Sequence, residues 1–251
     1  TTLFRSSGLF FIEGLRTVGE AVQTGATIDS FVVAPELLES EFGRSLLEHP
    51  SAKHIDRIGV SAEIYKKIAH KEGPQGIGAI VRQVWQPLET LHVKAGDCWV
   101  ALDSVSDPGN LGTIMRTADA VGSRGIILIG HATDPYDPTA VKASMGAVFS
   151  LDLVQSDWSA LKYWQTTHQL MMVGTSDSAQ KDYQAIRYRR PLVLLMGSER
   201  HGLSAEMQGA CSEMGRIPME GRSDSLNLAV ATGVMLYEIY NQSRNLDIIN
   251  P

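Results

Sequence analysis

The sequence predicts an α/β protein in two parts, the second of them built on a parallel sheet. Two observations carry this fold class. Short apolar segments of strand length alternate with segments of helical period along most of the chain. A break at 86–96, which contains Pro87, separates a first series of elements from a second series that starts at residue 97. Because strands that alternate with helices form parallel sheets covered on both faces, we expect this architecture for 97–251.

The first part, residues 1–85, is predicted to be a small α/β domain. A helix over 13–24 ends at Gly25, a residue type that tolerates the left-handed conformation of a C-terminal cap. A second helix begins after Ser61, whose hydroxyl can accept a hydrogen bond from the first turn, and runs to His70. Segments with strand composition occupy 28–34 and 76–85.

The second part supplies the strands of the predicted parallel sheet. They occupy 97–105, 125–129, 149–154, 169–174 and 192–196. Helical segments lie between most of them, notably 111–121 and 158–168. Segment 86–96 is interpreted as the linker between the two domains.

The bulk composition is that of an ordinary globular protein. The chain has 251 residues, is 43% hydrophobic and 20% charged, and carries a net charge of −6. That charge counts against a nonspecific coat for nucleic acid but leaves room for a local basic face. Cys98 and Cys211 stand among apolar or small residues and are predicted to be free thiols, which indicates the cytoplasm. Neither a membrane span nor a metal site is expected.

The stretch DPGNLGTIMRTADAVG, 107–122, fits neither a dinucleotide-binding nor a P-loop pattern. Asn110 can cap the helix that follows, and Gly122 can end it. Arg116 lies about 200° around the helix from Ile114, so it points away from the core near the end of the first strand. An ordinary surface arginine fits the spacing equally well. The predicted buried face is Leu111, Ile114, Met115, Ala118 and Val121.

A second loop, LLMGSERHGLS at 194–204, follows a predicted strand directly. At Gly197 a backbone without Cβ can approach a ligand closely. Glu199 and Gly202 come next. The alternative is a plain strand-to-helix turn with Ser204 as the N-cap.

A third loop lies within 216–238 and precedes the last helix, which we expect to run from Ser225 to about Tyr240. Ser225 and Asn227 lie at its amino end, where free N–H groups favour electron-rich ligands. Capping explains Ser225 better than Asn227. The predicted buried stripe is Leu226, Val230, Gly233, Val234 and Tyr237, and Gly233 suggests that another backbone packs closely there.

Together the three loops resemble the signature motifs of the SpoU (TrmH-like) branch of the SPOUT RNA methyltransferases. The matching segments are 107–112 (DPGNLG) through Arg116 to Gly122, 196–199 (MGSE) with 202–203 (GL), and 217–219 (IPM) with 225–227 (SLN). Segment 142–147 (KASMGA) also resembles a recurrent family segment. In the first part, 11–14 (FIEG) and 75–77 (QGI) resemble the family's ribosomal-protein-L30-like substrate-binding domain.

The resemblance implies a deep trefoil knot in the C-terminal domain, with S-adenosyl-L-methionine bound in it. The residues implied to bind that cofactor are Met196, Gly197, Ser198, Gly202, Ile217, Met219 and Leu226. The residues implied at the catalytic centre are Asn110, Arg116, Glu199, Ser225 and Asn227. His201 fills a variable place in the second motif and is given no catalytic role.

The implied reaction is methyl transfer to a ribose 2′-hydroxyl in structured RNA. Family proposals make the matching arginine a general base, but a guanidinium stays protonated, so we expect Arg116 to stabilise the developing alkoxide and clamp a phosphate. Glu199 is expected to orient Arg116 or the ribose. Ser225 and Asn227 are expected to fix the nucleotide or the loops by hydrogen bonds.

The L30-like domain favours large-subunit (23S) ribosomal RNA over transfer RNA as the substrate. A homodimer through the C-terminal domain is also implied, with each site completed between protomers. The rival class is a non-catalytic RNA-binding protein of the same fold. Hydrolase chemistry is not supported, because Ala143-Ser144-Met145-Gly146 lacks the first glycine of a nucleophile elbow.

Overall fold

The computed structural model describes residues 7–69, 73–223 and 225–249. Within them the strands, in chain order, are β1 Leu9–Glu13, β2 Ile28–Val33, β3 Asp56–Gly59, β4 Ile77–Arg82, β5 Cys98–Asp103, β6 Gly125–Ile129, β7 Asp152–Gln155, β8 Met171–Thr175, β9 Lys181–Asp182, β10 Leu192–Met196 and β11 Glu213–Arg216. The helices are α1 Leu15–Gln23, α2 Glu41–Glu48, α3 Ala62–Ile68, α4 Pro108–Ala120, α5 Pro138–Ser144, α6 Trp158–Thr167, α7 Ala205–Ala210 and α8 Leu228–Ile249. Short 3₁₀ turns occupy Leu88–Thr90, Ala147–Phe149 and Tyr183–Ala185.

Contacts group the chain into two units, which are 1–84 with 135–150, and 85–134 with 151–251. The predicted division at 86–96 differs from this grouping in one segment, because 135–150 packs with the first part of the chain. The Tyr136 hydroxyl donates to the Val84 carbonyl over 2.7 Å and accepts from the Val84 N–H over 3.0 Å. The Phe10 ring lies 4.7 Å from the Tyr136 ring and 6.1 Å from that of Phe149. Such contacts between distant segments leave no mark on local periodicity.

The first unit contains a four-stranded sheet in the order β1-β4-β2-β3. Strand β4 pairs antiparallel with β1 and β2, and β2 pairs parallel with β3. The predicted cap at Ser61 is confirmed, because its hydroxyl accepts from the Ile64 N–H over 3.3 Å. His70, the predicted end of that helix, lies outside the described residues. Helix α1 starts at Leu15 rather than at residue 13, since Glu13 belongs to β1 and Gly14 turns the chain at φ 88°.

The second unit contains a seven-stranded sheet in the order β7-β6-β5-β10-β8-β11-β9. Every neighbouring pair is parallel, as predicted. Strands β9 and β11 were not among the predicted strands; they are short and carry charged residues, so no apolar run marks them. Strand β7 begins at Asp152 rather than at residue 149, because a 3₁₀ turn precedes it.

The core of the second unit lies around Trp99, whose ring meets that of Trp164 edge to face at 5.6 Å. Segment 86–96, predicted to be a linker, contributes Leu88 and Leu91 to this core. Among the described residues, no helix is both long and apolar enough to cross a membrane.

Helix α8 differs from its prediction in start and in orientation. It begins at Leu228, and the side that packs inward carries Leu228, Ala229, Thr232, Met235, Leu236 and Ile239. The predicted stripe was wrong, since Val230 is 53% exposed and Tyr237 50% exposed. Among the described residues of one chain, a Cβ at Gly233 would meet only the Thr117 side chain, at 3.7 Å, so no close backbone contact within them explains this glycine. Both sides of α8 are apolar, and periodicity alone selected the outer one.

Candidate functional site

The candidate site lies where central strands of the parallel sheet end. Strands β5 and β10 pair side by side over Cys98–Leu102 and Leu192–Met196, and β8 flanks β10. The loops after β5 and β10 are therefore neighbours at the carboxyl edge. In open α/β sheets this edge is where ligands bind.

A cavity of about 740 Å³, here called the large cavity, opens at this edge. Its wall includes all seven residues predicted to bind a cofactor: Met196, Gly197, Ser198, Gly202, Ile217, Met219 and Leu226. Glu199, Ser225 and Asn227 also line it. Segments that are far apart in the chain, and that the resemblance grouped into one site, thus line one cavity. Their contacts with a cofactor stay a prediction.

The turn at Gly197 is forced by the chain itself. A Cβ at Gly197 would overlap the backbone of Gly202 and Leu203. The Gly202 N–H donates to the Ser198 carbonyl over 3.0 Å, and Gly202 adopts φ 61°, a conformation that suits glycine. Close approach of a ligand at Gly197 stays a prediction, and the tight hairpin that closes on Gly202 and Leu203 is a second reason for glycine at this position.

Glu199 joins the first and second loops by hydrogen bonds. Its carboxylate accepts from the Ser106 hydroxyl over 3.1 Å and from the Asn110 side-chain amide over 3.3 Å. Partial burial of the carboxylate raises its pKa, but hydrogen bonds from its own backbone, Asn110 and Ser106 outweigh burial and lower the pKa below the ordinary 4.5. Glu199 is therefore held as an anion that anchors the loop before α4.

Asn227 joins the third loop to the first. Its side-chain amide donates to the Asn110 carbonyl oxygen over 3.0 Å, while its own oxygen accepts from the N–H groups of Ala229 and Val230 over 2.9 and 3.3 Å. Asn227, not Ser225, is thus the cap of α8, and Ser225 lies exposed in the loop before it. One chain of hydrogen bonds runs from Ser106 through Glu199 and Asn110 to Asn227.

Asn110 takes part in this chain because another residue caps α4. The Asp107 side chain accepts from the Asn110 N–H over 2.6 Å, so the predicted cap at Asn110 was wrong. The predicted buried face of α4 is confirmed: Leu111, Ile114, Met115 and Ala118 are fully buried and Val121 nearly so. The predicted end is confirmed as well, because Gly122 follows the helix at φ 70°.

Arg116 is exposed on α4, as its spacing predicts. Within the described part of one chain, it is not among the residues that line the large cavity. The hydrogen bonds of the Glu199 side chain go to Ser106 and Asn110, so one chain offers no support for the expectation that Glu199 orients Arg116. Among the described residues, Arg116 is the predicted catalytic residue that neither lines the large cavity nor takes part in the hydrogen-bond chain from Ser106 to Asn227.

Sequence reasoning missed several polar residues of the site. Ser106 had no assigned role, although it directly precedes the first motif. The last residue of β8, Thr175, lines the large cavity together with Ser176, Asp177 and Ser178 of the loop that follows. A signal existed, since polar residues that follow a strand of a parallel sheet lie at its ligand-binding edge. His201 lines the wall too and is exposed.

The large cavity suits a ligand with both apolar and polar parts. Its volume lies in the range of roughly 300–1,000 Å³ that is usual for such pockets. Met196, Leu203 and Ile217 can hold an aromatic ring, while Asp177 and Glu199 can accept from hydroxyl or ammonium groups. These acceptors and apolar walls fit a nucleoside that carries an amino-acid chain.

Two family models match the chain. The first, described as the SpoU rRNA Methylase family, covers residues 97–237. The second, described as the MRM3-like substrate binding domain, covers residues 5–79.

Curated and solved relatives match over nearly the whole length. A 23S rRNA (uridine(2479)-2′-O)-methyltransferase from Streptomyces viridochromogenes is 31% identical over 244 residues, which are 94% of this chain and 84% of the relative. The crystal structure of an AdoMet-bound rRNA methyltransferase from Sinorhizobium meliloti is 37% identical, with a TM-score of 0.85 over 94% of this chain and 88% of that one. The SpoU methyltransferase AviRb from Streptomyces viridochromogenes, in complex with AdoMet, is 30% identical, with a TM-score of 0.87 over 96% and 92%.

Proposed function

The chain belongs to the SpoU rRNA methylase family, and from that membership we propose that it methylates a ribose 2′-hydroxyl of large-subunit (23S) ribosomal RNA with S-adenosyl-L-methionine as the donor. The observation that carries this function is the large cavity, whose wall combines the second and third motifs at the carboxyl edge of the sheet. Two relatives that each match 94% of this chain, from Streptomyces viridochromogenes and Sinorhizobium meliloti, are named for ribosomal RNA, which favours it over transfer RNA.

S-adenosyl-L-methionine supplies a methyl group already activated on a positively charged sulfur. The protein therefore has to bind that cofactor, hold the ribose hydroxyl in line and handle its proton. Met196, Gly197, Ser198, Gly202, Ile217, Met219 and Leu226 are proposed to form the cofactor contacts. Asp177 adds a carboxylate on the same wall, suited to hydroxyl or ammonium donors.

Arg116 is proposed to stabilise the negative charge that develops on the ribose oxygen and to clamp a neighbouring phosphate. A guanidinium remains protonated at any ordinary pH and cannot accept the hydroxyl proton, so that proton is proposed to leave to solvent water as the methyl group moves from sulfur to the ribose oxygen. Five N–H donors in a planar fork suit an alkoxide and a phosphate together.

Glu199, Asn110 and Asn227 are proposed to position the loops. Their hydrogen bonds fix the loop before α4 against the hairpin at Gly197 and against the first turn of α8. Ser225, exposed beside them on the cavity wall, has a hydroxyl available for the nucleotide. The expected role of Glu199 thus shifts from orienting Arg116 to anchoring Asn110.

A homodimer is proposed to complete the site. Support comes from two observations: Arg116 is not on the cavity wall of its own chain, and the outer side of α8 exposes Val230 and Tyr237. Covering such an apolar surface is favourable, and a partner chain would cover it. Light scattering at micromolar concentration should give twice the chain mass, and Val230→Asp should halve it. A monomeric wild-type chain would refute the dimer.

The reaction is tested with tritiated cofactor and separated ribosomal and transfer RNAs, followed by mapping of the labelled nucleotide. Label in 23S RNA on a ribose 2′-oxygen is expected. Label in transfer RNA alone would favour the alternative substrate. RNA binding without any label would favour a non-catalytic protein of the same fold.

The role of Arg116 is tested by Arg116→Ala, which should keep cofactor affinity and reduce methyl transfer by about 10²–10³ or more. Arg116→Lys keeps the charge but loses the fork, so it should recover only part of that loss. Arg44→Ala, at an exposed arginine of the first unit, is the control and should transfer methyl groups at the wild-type rate. Near-normal turnover in Arg116→Ala would remove this residue from the mechanism.

Two further features of the family are proposed for this chain. The C-terminal segments are proposed to form the deep trefoil knot, with support from the position of β11 beside β8 and the packing of α8 on α4. An experimental structure traced through 192–249 tests it. The cytoplasm is the proposed location, because it holds ribosomal RNA and suits two free cysteines. Fractionation of cells with an antibody to the protein would test that location.

A further inference from the structure

A second cavity lies wholly within the first unit. It measures about 210 Å³ and is here called the small cavity. The end of β1, the first turn of α1, the residue before Gly76 and helix α5 form its wall. Its volume is below the roughly 300–1,000 Å³ usual for drug-sized ligands, so it suits a single ring system.

Three sequence segments singled out for family resemblance, yet given no task at the large cavity, meet at this small cavity. They are 11–14, Gln75 at the start of 75–77, and Lys142 and Met145 of 142–147. Gly14 adopts φ 88°, and a Cβ there would lie 3.1 Å from the Gln75 side-chain oxygen. That oxygen accepts from the Leu15 N–H over 3.1 Å, so Gln75 ties the segment before β4 to the start of α1.

The segment after α5 is held in place by a similar close fit. Gly146 adopts φ 104°, and a Cβ there would lie 2.7 Å from Cγ of Glu20 on α1. Met145 lines the cavity, and its backbone is left-handed at φ 55°, a conformation that residues other than glycine seldom adopt. Segments that are distant in the chain thus form one recess, and the left-handed backbone of Met145 costs conformational energy.

The chemistry of the wall is that of a nucleotide site. Apolar side chains, Phe11, Ile12 and Val141 among them, can pack against the faces of a base. Glu13 adds a half-buried carboxylate, a group that can accept hydrogen bonds from the N–H groups of a base edge. Arg16 and Lys142 are exposed cations on the same wall, placed for a phosphate.

We propose that the small cavity is a second RNA subsite, which receives one unstacked base of the substrate RNA while Arg16 and Lys142 bind its phosphate. This inference rests on the proposed function for the choice of RNA as the ligand. It places substrate selection in a built recess of the first unit, separate from the residues that handle the methyl group. Single-stranded or looped RNA presents such bases, whereas a paired helix does not.

The phosphate contact is tested with Lys142→Gln and 23S ribosomal RNA transcribed in vitro. Affinity is measured by filter binding between about 50 and 200 mM salt, without methyl transfer. We expect affinity to fall about three- to tenfold and the slope of log affinity against log salt to fall by about 0.7–0.9. Lys66→Gln, an equally exposed lysine of α3 outside the cavity, is the control and should change affinity less than twofold.

The base contact is tested by filling the recess. Thr17→Trp, at a half-buried position on the wall, should weaken RNA binding about fivefold or more, the worth of one stacked base. Thr24→Trp at the far, exposed end of α1 should leave binding unchanged. Thr17→Leu replaces the tryptophan variant if that chain does not fold, and cofactor affinity reports the fold of each variant.

Weakened RNA binding in Lys142→Gln and in the filled variant, with cofactor affinity retained, supports the subsite. Wild-type RNA affinity in the filled variant overturns the base subsite, even if Lys142→Gln binds RNA weakly. Surface charge alone would then explain the effect of Lys142. A wild-type chain that binds 23S RNA and transfers no methyl group refutes the proposed function and leaves the subsite standing.

Discussion

The walls of the large and small cavities are fixed by different kinds of interaction. At the large cavity, exposed polar side chains hydrogen-bond between loops, from Glu199 to Asn110 and on to Asn227. At the small cavity, a left-handed glycine turn and close backbone packing fix the wall, because Gly76, next to the wall residue Gln75, lies against the backbone of 34–38. Hydrogen bonds exposed to water contribute modestly and exchange easily, whereas packed backbone cannot shift without a large penalty. The large cavity is therefore suited to rearrange around ligands, and the small one to select by shape.

The hairpin at Gly197 is the exception at the large cavity, because it is fixed by backbone contact. Gly197→Ala should destabilise the fold by about 3 kcal/mol or more and abolish cofactor binding, since backbone atoms occupy the position of the new Cβ. Gly209→Ala is the control: nothing lies near its Cβ within α7, and alanine favours the helix by about 0.5–1 kcal/mol. Urea unfolding and calorimetry measure both. Normal cofactor affinity in Gly197→Ala would contradict this account of the hairpin.

The first unit offers the matching test. A Cβ at Gly76 would lie 2.6 Å from the Leu38 nitrogen, and its φ of 72° is left-handed. Gly76→Ala should cost about 2–4 kcal/mol, of which about 1–2 is backbone strain. Gly73→Ala shares the left-handed φ, at 69°, but has open space, so it should show the strain alone. Gly76→Ala should lose RNA binding and keep wild-type cofactor affinity. Loss of both would contradict the view that the two cavities are held by separate interactions.

Asn227→Ala removes the cap of α8 and its bond to Asn110. The expected cost is about 1 kcal/mol of unfolding free energy, the usual worth of such a cap. Asn241→Ala, at an exposed position farther along α8, should stay within about 0.5 kcal/mol of wild type. Equal unfolding midpoints for the two variants in urea would mean that the cap contributes nothing.

The smallest effect concerns pH. Because the pKa of Glu199 is lowered in the folded protein, its stabilising effect is present above the ordinary carboxyl pKa of 4.5 and is lost as the pH falls through the folded value. Wild type should exceed Glu199→Gln in unfolding free energy at pH 7 by less than about 1 kcal/mol, since the carboxylate is exposed. The difference should shrink below pH 4.5. In a Ser106→Ala background, the difference in unfolding free energy between chains with Glu199 and chains with Glu199→Gln should be smaller at neutral pH. A difference that grows as the pH falls would contradict a lowered pKa for Glu199.

Local features of the sequence predicted local structure well. Ser61 caps the helix expected of it, and Ser204 caps α7, as the alternative interpretation of the second loop had it, because a cap depends only on the residues of the first turn. The cap of α8 is Asn227 and not the expected Ser225. Asn227 also bonds to Asn110, which lies far away in the chain, and this bond favours Asn227 as the cap. Resemblance gave the set of cavity residues, while periodicity could not choose between the two apolar sides of α8.

Non-local features were beyond such reasoning. Segment 135–150 joins the first unit through Tyr136, whose hydroxyl is bound by the backbone of Val84, and no local pattern predicts that pair. Helical spacing placed Arg116 on the outer face of α4 but could not say which cavity it faces. Ser106 was missed because its partner, Glu199, follows a different strand.

The two-sided character of α8 has a consequence for assays. Its inner side packs into the fold, its outer side exposes Val230 and Tyr237, and its first turn is joined by Asn227 to Asn110 at the start of α4. If a second copy covers that outer side, catalytic output per molecule depends on how concentrated the protein is. Turnover numbers measured in very dilute solution would then understate the enzyme, and a lag before steady state would mark the time two chains need to find each other.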